Sequence, residues 1–324
     1  MIRARLEEQE IRAVVGVPGS GDRVVDGIAA LTEAEDRCLY WCGAGAEREP
    51  LAERDGCIVI AARDSGLGAQ LGSSVVLEVD DPRAAIGAVL EHVRASGLQA
   101  PWVAERSIAG SADVSPHAVL DGAVQIGENV RIGPFCVIGP DVVIGQGTAI
   151  EAGVRIHPRT SIGEHCVIAA NTVVGTPGFG FVRDASGSKL RTPQLAGTVI
   201  GSHVEIGPLV AIECGALVPT TIEDGAKLSL LAGVGHGVRI GRGVTVTGGV
   251  MINGSAVLEE EAWIGSNASI RDSRRVGAGA LVGMDASVQA DLPDNAVARA
   301  PRPDVAARDL AADPSAIGFR RGGG

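Results

Sequence analysis

Chemistry in this chain starts with His236. The chain has six histidines, and His236 alone stands between two glycines, in the stretch VGHGV (234–238). Small neighbours leave room for a substrate. An imidazole at neutral pH is also the side chain best suited to accept a proton from a reacting group. The other five carry less. His92 falls on the outer side of a predicted helix, and His117, His157, His165 and His203 lie in ordinary units of the repeat described below, as surface or interface residues. The six cysteines, Cys38, Cys42, Cys57, Cys136, Cys166 and Cys214, include no CxxC pair. They read as reduced, mostly buried thiols of a cytosolic protein. A metal centre needs several convergent ligands, and GHG is the one suggestive fragment, so no metal is expected.

The element that positions His236 is a repeat of six. From Ile108 to Val174 every sixth residue is Ile, Leu or Val, and the beat returns at Ile200, Ile206, Ile212 and Val218. It slips by two residues to Ile222 and then runs unbroken to Val288. A period of six is neither the 3.6 of a helix nor the 2 of a plain strand. It fits one short strand and one tight turn, with three such units closing a triangular coil, and twenty-eight beats give roughly nine coils of a parallel β-helix. The aliphatic points inward, and Gly after it, as in IGEN, IGPF and IGQG, lets the corner turn. His236 takes the third place of its unit, where a side chain need not enter the core.

The stretch 175–199 interrupts the beat with GTPGFGFVRDASGSKLRTPQLAGTV. It carries two of the four Phe, Phe179 and Phe181, and Lys189. Residues 1–100 do not keep the period. CIVIAA (57–62) and SVVLEVD (74–80) read as buried strands, and DPRAAIGAVLEHVRASG as a helix with Asp81 as N-cap, Pro82 in the first turn and Gly97 as stop. The expected organisation is a small α/β domain at 1–100, a hexapeptide β-helix at 104–291 with an inserted loop at 175–199, and a short, mostly flexible tail at 292–324, in which PDVAARDLAAD forms a short helix. GVPGSGD (16–22) is a turn rather than a phosphate loop. The net charge of -11 argues against a nucleic-acid partner. No uncharged apolar run reaches the ~18 residues of a membrane span. The charged start MIRARLEEQE lacks the apolar core of a signal peptide, so a cytoplasmic location is expected.

The interrupting loop also carries a resemblance. Gly178-Phe179-Gly180-Phe181, Gly187, Pro193-Gln194-Leu195 and the resumption at VIGSHVEIG resemble the signature of the bacterial UDP-3-O-acylglucosamine N-acyltransferase family, the third acyl transfer of lipid A synthesis. VGHGVRIGRGVTVTGGVMINGS (234–255) looks like the segment with that family's catalytic histidine, and GDRVVDGIAALTEAE is similar to its nucleotide-binding domain. The resemblance implies a mainly β fold, a left-handed parallel β-helix assembled as a homotrimer with active sites between subunits. It implies His236 as general base, Gly254 as a backbone N–H donor to the oxyanion, and Trp41, Gly178, Phe179, Gly180, Phe181, Gln194 and Ser273 at the substrate. The donor it implies is a phosphopantetheine thioester on an acyl carrier protein or coenzyme A, as co-substrate with no bound cofactor, and the acceptor a small-molecule amine.

Several positions depart from the family pattern. Ser273 replaces a second active-site His, Ser229-Leu230-Leu231 replaces Asp-Asn-Gln, and Glu213-Cys214 replaces Asp-Arg. In the uracil clamp Trp41 stands in for Phe, while Ala44 and Glu47 replace Asn and Tyr. Hydroxyl-rich sugar nucleotides need polar partners, so an N-acyltransferase with an altered acceptor is the reading these departures favour. The orthodox lipid A enzyme, a non-catalytic trimeric scaffold and a metal-dependent lyase remain as alternatives.

Overall fold

The computed structural model describes residues 1–31, 35–42, 54–63, 65–67, 70–183 and 186–301. The tail helix expected at PDVAARDLAAD lies outside them.

The N-terminal part is an α/β unit. Its strands are β1 (Ile2–Glu7), β2 (Val24–Ile28), β3 (Cys38–Cys42), β4 (Ile58–Ala62), β5 (Gln70–Leu71) and β6 (Ser74–Val79), with helices α1 (Glu8–Val15) and α2 (Pro82–Ser96). The sheet order is β1-β2-β3-β4-β6-β5, parallel through its centre and antiparallel at both edges. α2 begins where Asp81 accepts hydrogen bonds from the amides of Arg83 and Ala84 at 2.9 and 3.0 Å, and ends at Gly97 with φ 64°. Its apolar residues Ile86, Val89, Leu90 and Val93 are buried against the sheet with Leu6, Ile60 and Leu77. His92, expected on the outer side, is half-buried, and its Nε2 is shielded without a hydrogen-bond partner.

Beyond Trp102 the chain winds as a left-handed parallel β-helix. Its three faces hold 9, 10 and 9 strands, most of them two or three residues long because the corners use up the rest of each unit. The inward aliphatics stack in columns, such as Val234, Ile252, Ile270 and Val288 on one face. No coil could bury its own apolar face, so the continuous column is what makes each coil stable. The winding runs past Val288, since Leu281 and Val282 pair with Val297 and Ala298. The first residues of the stretch read as a tail therefore complete a coil.

The corners correct the role assigned to glycine. Except at Gly175, where the first bulge begins, the glycine after an inward aliphatic does not take a positive φ. A Cβ on Gly127 would stand 2.8 Å from the Gln146 amide nitrogen, and one on Gly145 2.6 Å from the Gly163 carbonyl carbon. Glycine is needed there so that successive coils can approach. The left-handed position falls two residues later and is taken by Gly147 or Gly237, but as readily by Asn129, Asp141 or Asn267 with φ between 56° and 59°. Asn and Asp tolerate that region better than other side chains.

Two excursions break the coil on the same corner. In the regular winding Val124 pairs with Val142. Thr160 pairs instead with Thr198, and Thr198 with Thr220, so the chain bulges first between Pro177 and Thr198 and again between Cys214 and Thr220. Val218, an inward position by the period, is thereby corrected: it belongs to the second bulge and is only half-buried. The two bulges hold each other, with Ala196 and Leu195 amides bonded to the Gly215 and Ala216 carbonyls at 3.0 and 3.3 Å.

Candidate active site

The corner interrupted by these bulges carries His236, the histidine singled out in the sequence. His236 is the tip residue of its turn, two places after inward Val234. One coil is 18 residues, so Gly254 and Asp272 are the tip residues of the next two coils. Successive strands lie about 4.8 Å apart. The three therefore form a column, and a Cβ on Gly254 would stand 2.7 Å from His236 Nε2. That contact requires glycine: any side chain at 254 would displace the imidazole. The Gly254 amide makes no hydrogen bond among the described residues.

The His236 turn is held from below by side chains. At regular corners the left-handed residue donates its amide to the carbonyl one coil earlier, as Ser255 does to His236 at 2.8 Å and Ser273 to Gly254 at 3.0 Å. Below Gly237 that carbonyl has left with the second bulge. Thr220 Oγ1 accepts from the Gly237 amide at 2.9 Å, and Glu213 Oε2 accepts from the His236 amide at 3.0 Å. Gly178 closes the rear of the turn, since a Cβ there would meet His236 Cβ at 2.8 Å.

The long bulge forms a hairpin in which Phe181–Arg183 pairs antiparallel with Lys189–Arg191. Phe179 and Phe181 pack edge to face at 5.0 Å, and the Arg191 guanidinium lies 4.9 Å from the Phe181 centroid and donates to the Gly178 carbonyl at 3.0 Å. The hairpin leans on α2, where Val182 approaches Gly87. Leu195 and Ala196 enter the core of the N-terminal unit, and Gln99 Nε2 donates to the Leu195 carbonyl at 2.8 Å. The loop thus ties the α/β unit to the coil.

Between them lies a cavity of about 1010 Å³. Of the residues singled out in the sequence, Trp41, Phe179, Gly180, Phe181, Gln194, His236, Gly254 and Ser273 all line it. Gly178 stands behind His236 rather than in the lining. Gln194 Nε2 donates to the Thr192 carbonyl, while its Oε1 is buried without a partner. Leu230 and Leu231 are not at this cavity. They occupy a different corner and are 48% and 56% exposed. Ala44 and Glu47 lie outside the described residues. Burial pushes the Cys214 thiol up to about 11, so it stays protonated and offers no thiolate nucleophile. Asp272 and Thr220 were not singled out in the sequence, and Glu213 stood out only as a departure from the family's Asp-Arg pair. Asp272 had a legible signal, because 236, 254 and 272 are spaced by one coil. Thr220 had none, because its role depends on the bulge removing a backbone carbonyl.

Known proteins share this architecture. Residues 123–158 and 141–176 match the bacterial transferase hexapeptide (six repeats) family. A UDP-3-O-acylglucosamine N-acyltransferase of Coxiella burnetii is 28% identical over 71% of this chain and 69% of its own length. One from Paracidovorax citrulli is 32% identical over 66% of this chain and 61% of its own. Among solved structures, a UDP-N-acetylglucosamine acyltransferase from Campylobacter jejuni superposes with a TM-score of 0.51 at 23% identity, over 57% of this chain and 70% of that one. The Francisella novicida enzyme of that name gives 0.50 at 25% identity, over 60% and 67%.

Proposed function

We propose that this chain, a hexapeptide-repeat acyltransferase similar to the UDP-3-O-acylglucosamine N-acyltransferases, moves an acyl group from a phosphopantetheine thioester to the amine of a small acceptor. The observation that carries this reading is the stacking of His236 Nε2 against Gly254 in the cavity. The acceptor nitrogen attacks the thioester carbon and His236 removes its proton. The Gly254 N–H donates to the developing oxyanion, as such donors do at a typical worth of about 3–4 kcal/mol. Collapse breaks the C–S bond, and the leaving thiolate recovers the proton from the imidazolium. The thioester rides on an acyl carrier protein or coenzyme A. The acceptor is an amino sugar or similar amine that differs from the family's own, because Ser273 faces it where the family has a second His. Exposed Leu209, Leu230, Leu231 and Met251 offer an apolar strip that assembly as a homotrimer buries.

His236→Ala is expected to lower acyl transfer by roughly 10²–10⁴-fold while light scattering still reports a trimer. Activity retained within a few-fold would remove His236 from the mechanism. Ordinary turnover on the standard lipid A precursor, with tight UDP binding, would return the protein to the orthodox reaction.

A further inference from the structure

Asp272 is the one carboxylate among the described residues that line the cavity. It stands at the tip of the turn directly above Gly254, since the Ser273 amide donates to the Gly254 carbonyl at 3.0 Å. Successive coils are about 4.8 Å apart, and a Cβ on Gly254 would stand 2.7 Å from His236 Nε2. Asp272 Cβ therefore lies within about 8 Å of that nitrogen, and residue 254, being glycine, puts no side chain between them. The carboxylate is also uncommitted. It accepts no hydrogen bond from any described residue, and Arg271 Nε stays 3.8 Å away. Arg274 turns to Asp291 at 3.5 Å and meets only the backbone carbonyl of Asp272. The cations that line the cavity, Arg83, Arg183 and Lys189, sit on α2 and the hairpin, and none pairs with Asp272. Other carboxylates on the coil are held by cations: Glu259 bridges Arg239 and Arg275, Asp294 holds Arg275 at 2.9 Å, and Glu205 holds Lys227 at 2.7 Å.

We propose that Asp272 is the residue by which this site selects an amine: its carboxylate faces the nitrogen of the acceptor across the gap above Gly254. The reaction so described rests on the acyl-transfer reading, whereas the binding itself does not. An alkyl amine is mostly cationic at neutral pH, so the acceptor enters as an ammonium. An opposite charge in the gap favours it over a hydroxyl in the same place. The ammonium releases one proton to water. The neutral amine then attacks the thioester carbon, and its nitrogen carries a positive charge until His236 takes the second proton, which passes to the leaving thiolate. Asp272 offsets the charge on nitrogen in that interval, while the Gly254 N–H meets the opposite charge on oxygen. A hydroxyl acceptor enters uncharged and gains nothing from the carboxylate on binding. The Asp272 side chain is 70% exposed, so solvent screens the attraction, and a preference of about fivefold is the scale that follows.

Calorimetry on the full chain at neutral pH tests this with UDP-glucosamine and UDP-glucose, two probes that differ only in an amine or a hydroxyl on one carbon. The native protein is expected to bind the amine about fivefold more tightly. Asp272→Asn should bring the two to within about twofold of each other, and Asp272→Glu should keep most of the preference. Equal affinities in the native protein, or a preference unchanged in Asp272→Asn, overturn the proposal. So does a weakening of both probes alike in Asp272→Asn, which marks a structural role. Should neither probe bind tightly enough for calorimetry, saturation-transfer NMR with glucosamine and glucose makes the same comparison, and no preference there overturns it too. If His236→Ala lowers transfer while Asp272→Asn leaves the preference intact, the role of Asp272 falls and the enzyme stands. If no transfer is found yet the preference depends on Asp272, the reverse holds.

Discussion

Replacing Glu213 by Ala removes one of the two side chains that hold the His236 turn where the coil has lost its usual carbonyl. The His236 amide donates to a carboxylate oxygen at 3.0 Å, and hydrogen bonds to charged partners contribute about 1.5–3 kcal/mol. Glu213 is half-buried, so solvent screens part of this and the lower end, about 1.5 kcal/mol, applies. That amount corresponds to roughly tenfold in the population of the held turn. Glu213→Ala is therefore expected to lower kcat about tenfold with KM little changed. The melting temperature should move little, because the Val234–Ile252–Ile270 column is untouched. Glu213→Gln keeps an oxygen acceptor and should stay within about threefold of the native rate. Single-turnover acyl transfer measures the rate, and hydrogen exchange of the His236 and Gly237 amides reports the turn directly. Native kcat in Glu213→Ala with both amides still protected would refute the reasoning. So would Glu213→Gln as damaging as the alanine, which would point to the charge rather than the hydrogen bond.

Two further outcomes follow from burial. Ile252→Ala leaves a void between Val234 and Ile270 and should cost about 2–5 kcal/mol. A urea midpoint within experimental scatter of native would show that the coils do not depend on a continuous column. Burial first, and Arg155 beside it, hold His157 below its ordinary 6.5. As pH falls through 6.5 the unfolded chain takes up a proton that the folded chain refuses. The stability is thus complete above pH 6.5 and is lost as pH falls toward the folded value. His157→Gln should flatten the urea midpoint between pH 6.5 and 5, and an unchanged slope there would show that His157 does not contribute.

The coil was legible from the one-dimensional pattern because each unit repeats the same local problem: an inward aliphatic, a tight approach, a left-handed turn. Any residue that obeys this grammar reports its place in the column. His236 was legible from its flanking glycines and Gly254 from the resemblance, and in retrospect an interval of 18 ties both to Asp272. Two of the six N-terminal strands, β4 and β6, and α2 were legible for a similar reason, since apolar runs and an Asp-Pro start are local signals. Where the grammar fails, the sequence misleads. Val218 keeps the beat by composition yet lies in a bulge. Leu230 and Leu231, close to His236 along the chain, stand at another corner, because successive residues around a triangular coil face different directions. That Trp41 and His236 line one cavity was decided by tertiary structure alone. These residues lie far apart in the chain and share no period. What joins them is the packing of Val182 on α2 and of Leu195 in the N-terminal core, a long-range contact whose apolar residues look like any others until both surfaces exist.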